Sequence, residues 1–304
     1  MIYTLTYNPS IDHLIFISTV DVGNLNRSER EAYYYGGKGV NVSQVLLELG
    51  IPNTALGFVA GFTGDEIERG LKSKGCFTDF VHLPTGTSRI NTKIVTENHE
   101  TEINAKGPLV DAFSMKALYG TLAQIGPDDT LVLAGSVSQQ MGSDSFASLL
   151  ATLPYRDTKI IVDTSGEALI NTLCYHPFMI KPNLYELSDI YHEQFTSSDP
   201  DPIIRAAKNL QDKGARNVLV SLGADGAILV AEDGRILSSP APAGIVVNSV
   251  GAGDSMVAGF IAGYLDRNDI EDAFIMGICA GSATSFNEGL AQKDDILQLY
   301  RLMR

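Results

Sequence analysis

The chain has 304 residues, of which 44% are hydrophobic and 19% are charged, and its formal net charge is −14. This length and composition predict an ordinary globular protein with one large α/β domain or two domains. The negative charge disfavours nucleic acid and anionic membranes as partners. The apolar runs are shorter than the ~18 residues that span a bilayer, so we expect a cytoplasmic protein. The spacing of Cys76, Cys174 and Cys279 fits neither a disulfide framework nor a zinc site.

Alternating or continuous apolar runs predict the strands, and apolar residues at helical spacing predict the helices. In chain order, we predict strands at residues 2–7, 14–18, 30–35, 55–60, 88–95, 101–105, 131–134, 159–163, 178–180, 217–222, 227–231 and 245–247. We predict helices at about residues 40–49, 65–74, 111–125, 143–152, 203–213, 254–265 and 271–286. A turn at residues 8–12 separates the first two strands, because Pro9 cannot continue a ladder.

Two pairs of predicted strands stand apart, one within the first 36 residues and the other within residues 88–105. Since no helix interrupts either pair, we predict a small four-stranded sheet that projects from the main body. Arg89 and Lys93 lie four residues apart on one strand and therefore share a face. These cations indicate either a solvated surface or a binding face.

From residue 110 onward, strands alternate with helices, which predicts a mostly parallel sheet covered on both faces. Ligands of such sheets bind beyond the carboxyl ends of the strands. Three polar or glycine-rich segments follow predicted strands in this sense: residues 181–186, 221–226 and 248–254. The glycines of the second segment suit a loop that passes close to a nucleotide, although a plain turn explains them equally well.

The segment Gly251-Ala252-Gly253-Asp254 is the strongest candidate for chemistry. A turn of small residues before a helix leaves backbone N–H groups that favour an anion. A carboxylate beside a bound phosphate is repelled, so Asp254 is a candidate base for the proton of an attacking hydroxyl. The competing interpretation is that Asp254 caps its own helix.

Three other features leave two interpretations open. The segment Gly36-Gly37-Lys38-Gly39 lacks the Walker A spacing and is either a ligand loop or a tight turn. Asp12 is either a turn residue or a carboxylate that binds substrate hydroxyls. Asn183 and Glu186, spaced i,i+3, suit a hydrated Mg²⁺ ion. Alternatively, Glu186 is an exposed carboxylate at a helix start.

Three motifs occur in a characteristic order: Asn8-Pro9-Ser10-Ile11-Asp12, Gly36-Gly37-Lys38-Gly39-Val40-Asn41-Val42 and Val250-Gly251-Ala252-Gly253-Asp254-Ser255. Each motif is moderately specific alone, but together they resemble the ribokinase-like (PfkB) carbohydrate kinases over essentially the whole chain. The segment Ser88-Arg89-Ile90-Asn91-Thr92-Lys93 resembles the 1-phosphofructokinase branch of that family. One departure is Val137-Ser138, where the family usually carries Leu-Pro.

The resemblance implies a three-layer α/β/α sandwich with a mostly parallel sheet and a small four-stranded β lid. It implies one kinase domain over residues 1–304, whose discontinuous lid, from about residues 11–36 and 88–107, pairs two copies as a homodimer. It also implies ATP-dependent phosphorylation of fructose 1-phosphate at O6 to fructose 1,6-bisphosphate, with Mg²⁺. A tagatose-6-phosphate kinase is the alternative activity. A non-catalytic sugar-phosphate sensor, which would not need Asp254, is the alternative from another class.

The same resemblance assigns a role to each candidate residue. Asp254 is the expected base, and the amides of Gly251, Ala252 and Gly253 form the expected anion hole. The expected substrate-binding residues are Asp12, Gly37, Lys38, Asn41, Arg89 and Arg27, of which Lys38, Arg89 and Arg27 meet the phosphate on the sugar. The residues expected at the nucleotide are Lys181, Asn183, Ser221, Gly223, Ala224, Asp225, Gly226, Asn248 and Gly281. Asn183 and Glu186 are expected to organise Mg²⁺ through water.

Overall fold

The computed structural model describes residues 1–137 and 141–304. Its strands are β1 (Ile2–Thr6), β2 (Ser10–Phe16), β3 (Arg30–Gly36), β4 (Asn53–Val59), β5 (Phe77–His82), β6 (Arg89–Val95), β7 (Glu100–Ile103), β8 (Thr130–Ala134), β9 (Lys159–Asp163), β10 (Met179–Ile180), β11 (Asn217–Ser221), β12 (Ala227–Val230) and β13 (Ile236–Ser239). Its helices are α1 (Lys38–Glu48), α2 (Gly61–Ser73), α3 (Ala112–Leu122), α4 (Ser145–Ala151), α5 (Gly166–Ile170), α6 (Leu184–Tyr191), α7 (Pro200–Asp212), α8 (Ala252–Arg267), α9 (Ile270–Ser285) and α10 (Lys293–Met303). None of the helices in these two ranges is both long and apolar enough to cross a membrane.

Within the described residues, nine strands form a large sheet in the order β13-β12-β11-β10-β9-β8-β1-β4-β5. Its pairs are parallel except for β11–β12 and β12–β13. Because β4 and β8 flank β1, the strand order reverses there, and a ligand crevice is expected at the carboxyl end of β1. The lid is a second sheet, β3-β2-β6-β7, in which the parallel pair β2–β6 joins two antiparallel pairs. The predicted fold class is confirmed.

Alternate residues of the central strands point to opposite faces of the large sheet. On β8, Leu131 and Leu133 join a core that includes side chains of α3 to α7. Val132 and Ala134 of the same strand join a second core with α1, α8, α9 and α10. Helices therefore cover both faces of the sheet, which gives the three layers of the sandwich.

Several local predictions differ from the structure. The sequence patterns do not predict β5 and β13, which are the two edge strands of the large sheet. The predicted strand at residues 245–247 is wrong, since these residues are exposed and form no strand. The chain has already left the sheet after β13, at Pro240, which has no N–H to donate. The predicted turn at residues 8–12 is too long, because Ser10 begins β2. Ser138, part of the departure from the family pattern, lies outside the described residues.

Glycines bring α8 and α9 unusually close together. A Cβ atom on Gly259 of α8 would lie 2.5 Å from the carbonyl oxygen of Met276 on α9. A Cβ atom on Gly263 would lie 2.7 Å from the carbonyl oxygen of Asp272. Both distances are too short for any side chain, so the backbone of α9 directly supports the helix whose first turn carries Asp254.

Candidate active site

A cavity of about 940 Å³ opens at the carboxyl ends of the central strands. Thr6, the last residue of β1, and Asn8 just beyond it line the cavity, and Ser136 lines it after β8. Asp12 and Arg89 line it from the lid. The cavity therefore lies in the crevice where an α/β sheet of this topology binds ligands.

Most of the predicted site residues line this cavity, although they are widely separated in the sequence. They are Asp12, Gly37, Lys38, Asn41, Arg89, Lys181, Asn183, Ser221, Gly223, Ala224, Gly226, Gly251, Ala252, Gly253, Asp254 and Gly281. Members of all three candidate sets, for the sugar, the nucleotide and catalysis, thus share one cavity, as a group transfer between two ligands requires.

The other four predicted residues are not among the described residues that line this cavity. Arg27 lies exposed between β2 and β3. Asp225 is also exposed, and its carboxylate accepts a hydrogen bond from the Ser197 hydroxyl at 2.5 Å. Asn248 lines a neighbouring cavity of about 620 Å³. Glu186 lies next to the cavity residue Lys38, with Oε1 3.6 Å from the ammonium nitrogen.

Asp254 lies in the first turn of α8, which begins at Ala252, close to the predicted start. The residue that precedes the helix, Gly251, has a left-handed backbone with φ 80°. Asp254 is only 6% exposed, and Asn41 Nδ2 donates a hydrogen bond to its Oδ2 at 2.8 Å. Among the described residues, Asn41 is the hydrogen-bond partner of the Asp254 side chain, and no side chain caps the start of α8. Asp254 therefore does not cap its own helix. Asn41, predicted to hold a sugar hydroxyl, orients the candidate base.

The start of α8 can receive an anion. The amides of the first turn have no carbonyl partner within the helix, and they lie at the positive end of its dipole. The Ala252 N–H donates to the Ser249 carbonyl at 3.3 Å, a long contact. A Cβ atom on Gly253 would lie 3.1 Å from Lys181 Nζ, so this ammonium group lies beside the turn. The site combines backbone donors with a lysine charge.

The surroundings of Asp254 change its proton affinity. Burial of the carboxylate, and next the negative charge of Asp163, raise the pKa of Asp254 from 3.8 to about 6. The charges of Lys38 and Lys181 and the hydrogen bond from Asn41 oppose this rise but do not cancel it. A carboxylate with this pKa is ionised at neutral pH and accepts a proton more readily than an ordinary aspartate.

Asp163, at the end of β9, is a site residue that the sequence patterns do not predict. It is fully buried, and its Oδ1 lies 3.1 Å from Lys38 Nζ and 3.3 Å from Lys181 Nζ. Burial raises the pKa of Asp163, but the two lysines outweigh this effect and hold the pKa below its ordinary value. An aspartate at the carboxyl end of a buried strand was the available signal.

Lys38 has carboxylates as its partners in the structure. Burial lowers the pKa of Lys38, but the charges of Asp163, Glu186 and Asp254 outweigh burial and raise it. Lys38 therefore stays a cation and offsets the negative charge around the candidate base. Its contact with the phosphate on the sugar stays a prediction.

Asn183 and Glu186 form a capping box at the start of α6. Asn183 Oδ1 accepts from the Glu186 N–H at 2.8 Å, and Glu186 Oε2 accepts from the Asn183 N–H at 2.9 Å. No group of three or more acidic, His or Cys side chains in the described ranges could hold a metal directly. However, Glu186 Oε1 lies outside the box, and the buried Asp163 Oδ2 has no hydrogen-bond partner among the described residues. Such oxygens fit a hydrated Mg²⁺ ion.

The two cations of β6 have different environments. Arg89 is partly buried, and its Nε donates to the Asn8 carbonyl at 3.0 Å. Burial lowers the pKa of Arg89, because its charge has lost contact with water. An anionic ligand in the cavity would offset this loss. Lys93 instead pairs with Glu100 and, at 2.8 Å, with Glu102 on β7. Of these two side chains, Arg89 is therefore the better candidate for a ligand contact.

A buried carboxylate at a helix N-terminus, in a cavity at the strand ends, is the arrangement expected of an α/β phosphotransferase. The family model described as "pfkB family carbohydrate kinase" matches residues 5–295. The chain belongs to this family, which confirms the resemblance seen in its sequence motifs.

Three known proteins illustrate the similarity. The chain is 38% identical to the 1-phosphofructokinase of Borreliella burgdorferi over 299 residues, which cover 98% of this chain and 96% of the relative. It is also 38% identical to the D-tagatose-1-phosphate kinase of Bacillus licheniformis over 292 residues, covering 95% and 94%. The crystal structure of Escherichia coli phosphofructokinase-2 in complex with fructose-6-phosphate has a TM-score of 0.90 and 27% identity, covering 99% and 98%.

Proposed function

We propose that this protein is an ATP-dependent 1-phosphofructokinase, which phosphorylates fructose 1-phosphate at its 6-hydroxyl to give fructose 1,6-bisphosphate. The observation that carries this proposal is Asp254, a buried carboxylate with a pKa of about 6 in the first turn of α8, whose N-terminal amides favour an anion. The similarity to a 1-phosphofructokinase along nearly the whole chain supports the choice of substrate. A sugar-phosphate sensor would not need a buried base that a second residue orients.

In the proposed reaction, Asp254 accepts the proton of the substrate's 6-hydroxyl, and the oxygen of that hydroxyl attacks the γ-phosphorus of ATP. A bond forms between that oxygen and phosphorus, and the bond from phosphorus to the bridging oxygen of ADP breaks. ADP leaves with the bonding electrons. The amides of residues 251–253 stabilise the charge that develops on the transferred group. Asn41 holds Asp254 toward the hydroxyl.

The nucleotide side of the site follows from the same placement. Lys181 lies beside the α8 turn and would contact the ATP phosphates. Bound Mg²⁺ neutralises phosphate charge in such transfers, and Asn183 and Glu186 would hold it through water. The remaining proposed nucleotide contacts are Ser221, Gly223, Ala224, Asp225, Gly226, Asn248 and Gly281.

On the sugar side, Asp12, Gly37 and Asn41 would hold hydroxyls, and Arg89 would bind the 1-phosphate. Lys38 would approach the same phosphate from the carboxylate cluster. Arg27, which is exposed and outside the cavity lining, would complete this binding.

We propose a single kinase domain, a homodimer formed through the lid, and a cytoplasmic location. All three cysteines are free thiols, which fits a reducing compartment.

A tagatose phosphate kinase is the second candidate, because the D-tagatose-1-phosphate kinase is as similar as the 1-phosphofructokinase. Initial rates with Mg-ATP on fructose 1-phosphate, tagatose 1-phosphate, tagatose 6-phosphate, fructose 6-phosphate and fructose separate the two. We expect kcat/KM to favour fructose 1-phosphate by about tenfold or more, equivalent to about 1.4 kcal/mol. A preference for either tagatose phosphate would be consistent with the proposed mechanism but would show that fructose 1-phosphate is not the preferred substrate. Activity on none of the five acceptors would contradict the kinase proposal.

A further inference from the structure

We propose that Ser10 and Asn91 are positioning residues that clamp Asp12 and thereby make the enzyme selective for one hydrogen-bond-donating hydroxyl of its sugar substrate. This inference rests on the proposed function and deepens it. It adds two residues to the substrate side of the site, and it assigns the chemical property that the site reads.

The lid places the three side chains together. Ser10 and Asp12 lie two residues apart on β2, so their side chains share a face. Asn91 is the partner of Asp12 in the parallel register between β2 and β6. All three residues line the main cavity. The arrangement therefore depends on backbone pairing within one sheet.

Both neighbours donate to the same oxygen of Asp12. The Ser10 hydroxyl donates to Oδ1 at 2.8 Å, and Asn91 Nδ2 donates to Oδ1 at 2.8 Å. Ser10 is fully buried, so its hydroxyl has little freedom to turn elsewhere. An ionised carboxylate has acceptors only, and two donors on Oδ1 leave Oδ2 for the substrate.

Gly36 on β3 makes room for that second oxygen. A Cβ atom at Gly36 would lie 2.0 Å from Asp12 Oδ2, so no side chain fits there. The carboxylate thus lies against bare backbone on one side, with one oxygen held. This geometry suits a substrate hydroxyl that donates to Oδ2.

Asn91 shows that the clamp has a cost. Its Oδ1 is buried and has no hydrogen-bond partner in the described part of the chain. A buried acceptor without a partner is unfavourable for folding. The contact from Nδ2 to Asp12 is therefore maintained against a stability penalty, as is common for residues that serve a binding site.

Fluorinated substrates test whether a donor is read, because fluorine replaces a hydroxyl in size but cannot donate. The experiment measures kcat/KM for fructose 1-phosphate and for its 3-deoxy-3-fluoro and 4-deoxy-4-fluoro analogues. We expect the wild-type enzyme to discriminate against one of the two by a factor of about 10³ or more, since a site built for a hydroxyl strongly rejects an analogue that lacks the donor.

The variants then connect that discrimination to the clamp. Asn91→Leu should lower kcat/KM for fructose 1-phosphate by about 10–100-fold, mainly through KM, with the KM for ATP unchanged. Its rate on the rejected analogue should change by less than about threefold, so the discrimination shrinks. Ser10→Ala, a smaller change, should lower kcat/KM by about 3–10-fold with the same pattern. The thermal midpoint of Asn91→Leu should not fall, because the unpaired acceptor is removed.

Asn98→Leu, in the exposed β6–β7 hairpin of the same lid, is the matched control and should keep wild-type kinetics. If Asn91→Leu and Ser10→Ala slow the parent substrate and the analogue equally, or slow neither, the clamp does not set selectivity. If the wild-type enzyme phosphorylates fructose 1-phosphate but tolerates both fluorinated analogues, the inference also fails while the proposed function stands. Absence of wild-type activity on every ketohexose phosphate would remove both.

Discussion

At the scale of single residues, the ionised carboxylate of Asp254, the proposed base, is unfavourable for folding. Its pKa rises from 3.8 to about 6 in the folded protein. Between these two values, the unfolded chain releases its proton before the folded protein does, so stability falls as the pH rises. Above about pH 7, where the folded carboxyl is almost fully ionised, the whole penalty is present. One pKa unit corresponds to about 1.4 kcal/mol, so the penalty is about 3 kcal/mol at pH 8.

Asp254→Asn should therefore lose activity and gain stability. Turnover should fall by at least about 10²–10⁴-fold, because the base is lost, while ATP affinity changes little. The thermal midpoint should rise by several degrees at pH 8, since Asn carries no charge and still accepts the hydrogen bond from Asn41. Calorimetry at pH 8 and pH 5 provides the check, because at pH 5 the native carboxyl is mostly protonated and the difference should shrink. A midpoint difference independent of pH would contradict the raised pKa.

At the scale of elements, an ion pair connects the lid to the turn that starts α8. Arg30, at the start of β3, donates two hydrogen bonds to Glu288 at 3.0 and 3.2 Å. The Glu288 carbonyl accepts from Asn248 Nδ2 at 2.9 Å, and Asn248 Oδ1 accepts from the Val250 N–H at 3.0 Å. The position of the lid is thereby linked to the backbone just before Gly251.

This link predicts a kinetic effect of exposed charges outside the main cavity. Because exposed pairs contribute only about 0–1 kcal/mol, Glu288→Arg or Arg30→Glu should raise the KM for the sugar phosphate by up to about tenfold, including like-charge repulsion. The double variant Arg30→Glu/Glu288→Arg restores the opposite charges and should recover at least half of the loss in log KM. Steady-state kinetics at low and at high salt measures this, and the single-variant defects should shrink at high salt. A double variant worse than both single variants would show that the pair does not couple the lid to the turn.

The elements also show what a sequence can predict. The buried parallel strands are continuous apolar runs, and their helices carry periodic apolar faces, so these patterns predict β8, β9 and α9. The edge strands β5 and β13 are partly exposed and mix polar with apolar residues, so their pattern is weak. Residues 245–247 are apolar but exposed, so their composition wrongly predicts a strand. The pairing of Lys38 with Asp163 spans 125 positions, and no local pattern encodes it.

At the scale of the whole molecule, the outer face of the lid is the candidate interface for the proposed homodimer. Arg89 and Asn91 face the cavity, so Ile90, between them on β6, points outward and is 41% exposed. Ile103, on β7, pairs with Thr92 and therefore shares this outward face, where it is 59% exposed. Exposed apolar side chains that share a sheet face indicate an interaction surface.

Light scattering coupled to size-exclusion chromatography tests the proposed dimer. The wild-type protein should elute with the mass of two chains, and Ile90→Lys/Ile103→Lys should elute as a monomer with its secondary structure intact. Leu302→Lys, which changes an exposed apolar residue on α10, is the control and should remain dimeric. A double variant that remains dimeric would show that the dimer interface does not lie on the lid.

The close approach of α8 and α9 has a consequence for how this sequence can vary. Gly259 and Gly263 lie about one and a half and about two and a half turns along α8 from Asp254, roughly 8 and 14 Å at 1.5 Å per residue. Any side chain there would push the helix off its neighbour and carry the start of α8 with it. In a library of random variants selected for growth on the substrate, these glycines should therefore be as invariant as the base itself. Intolerance to substitution would then identify the helix that positions Asp254, and not only the residues that contact the ligand.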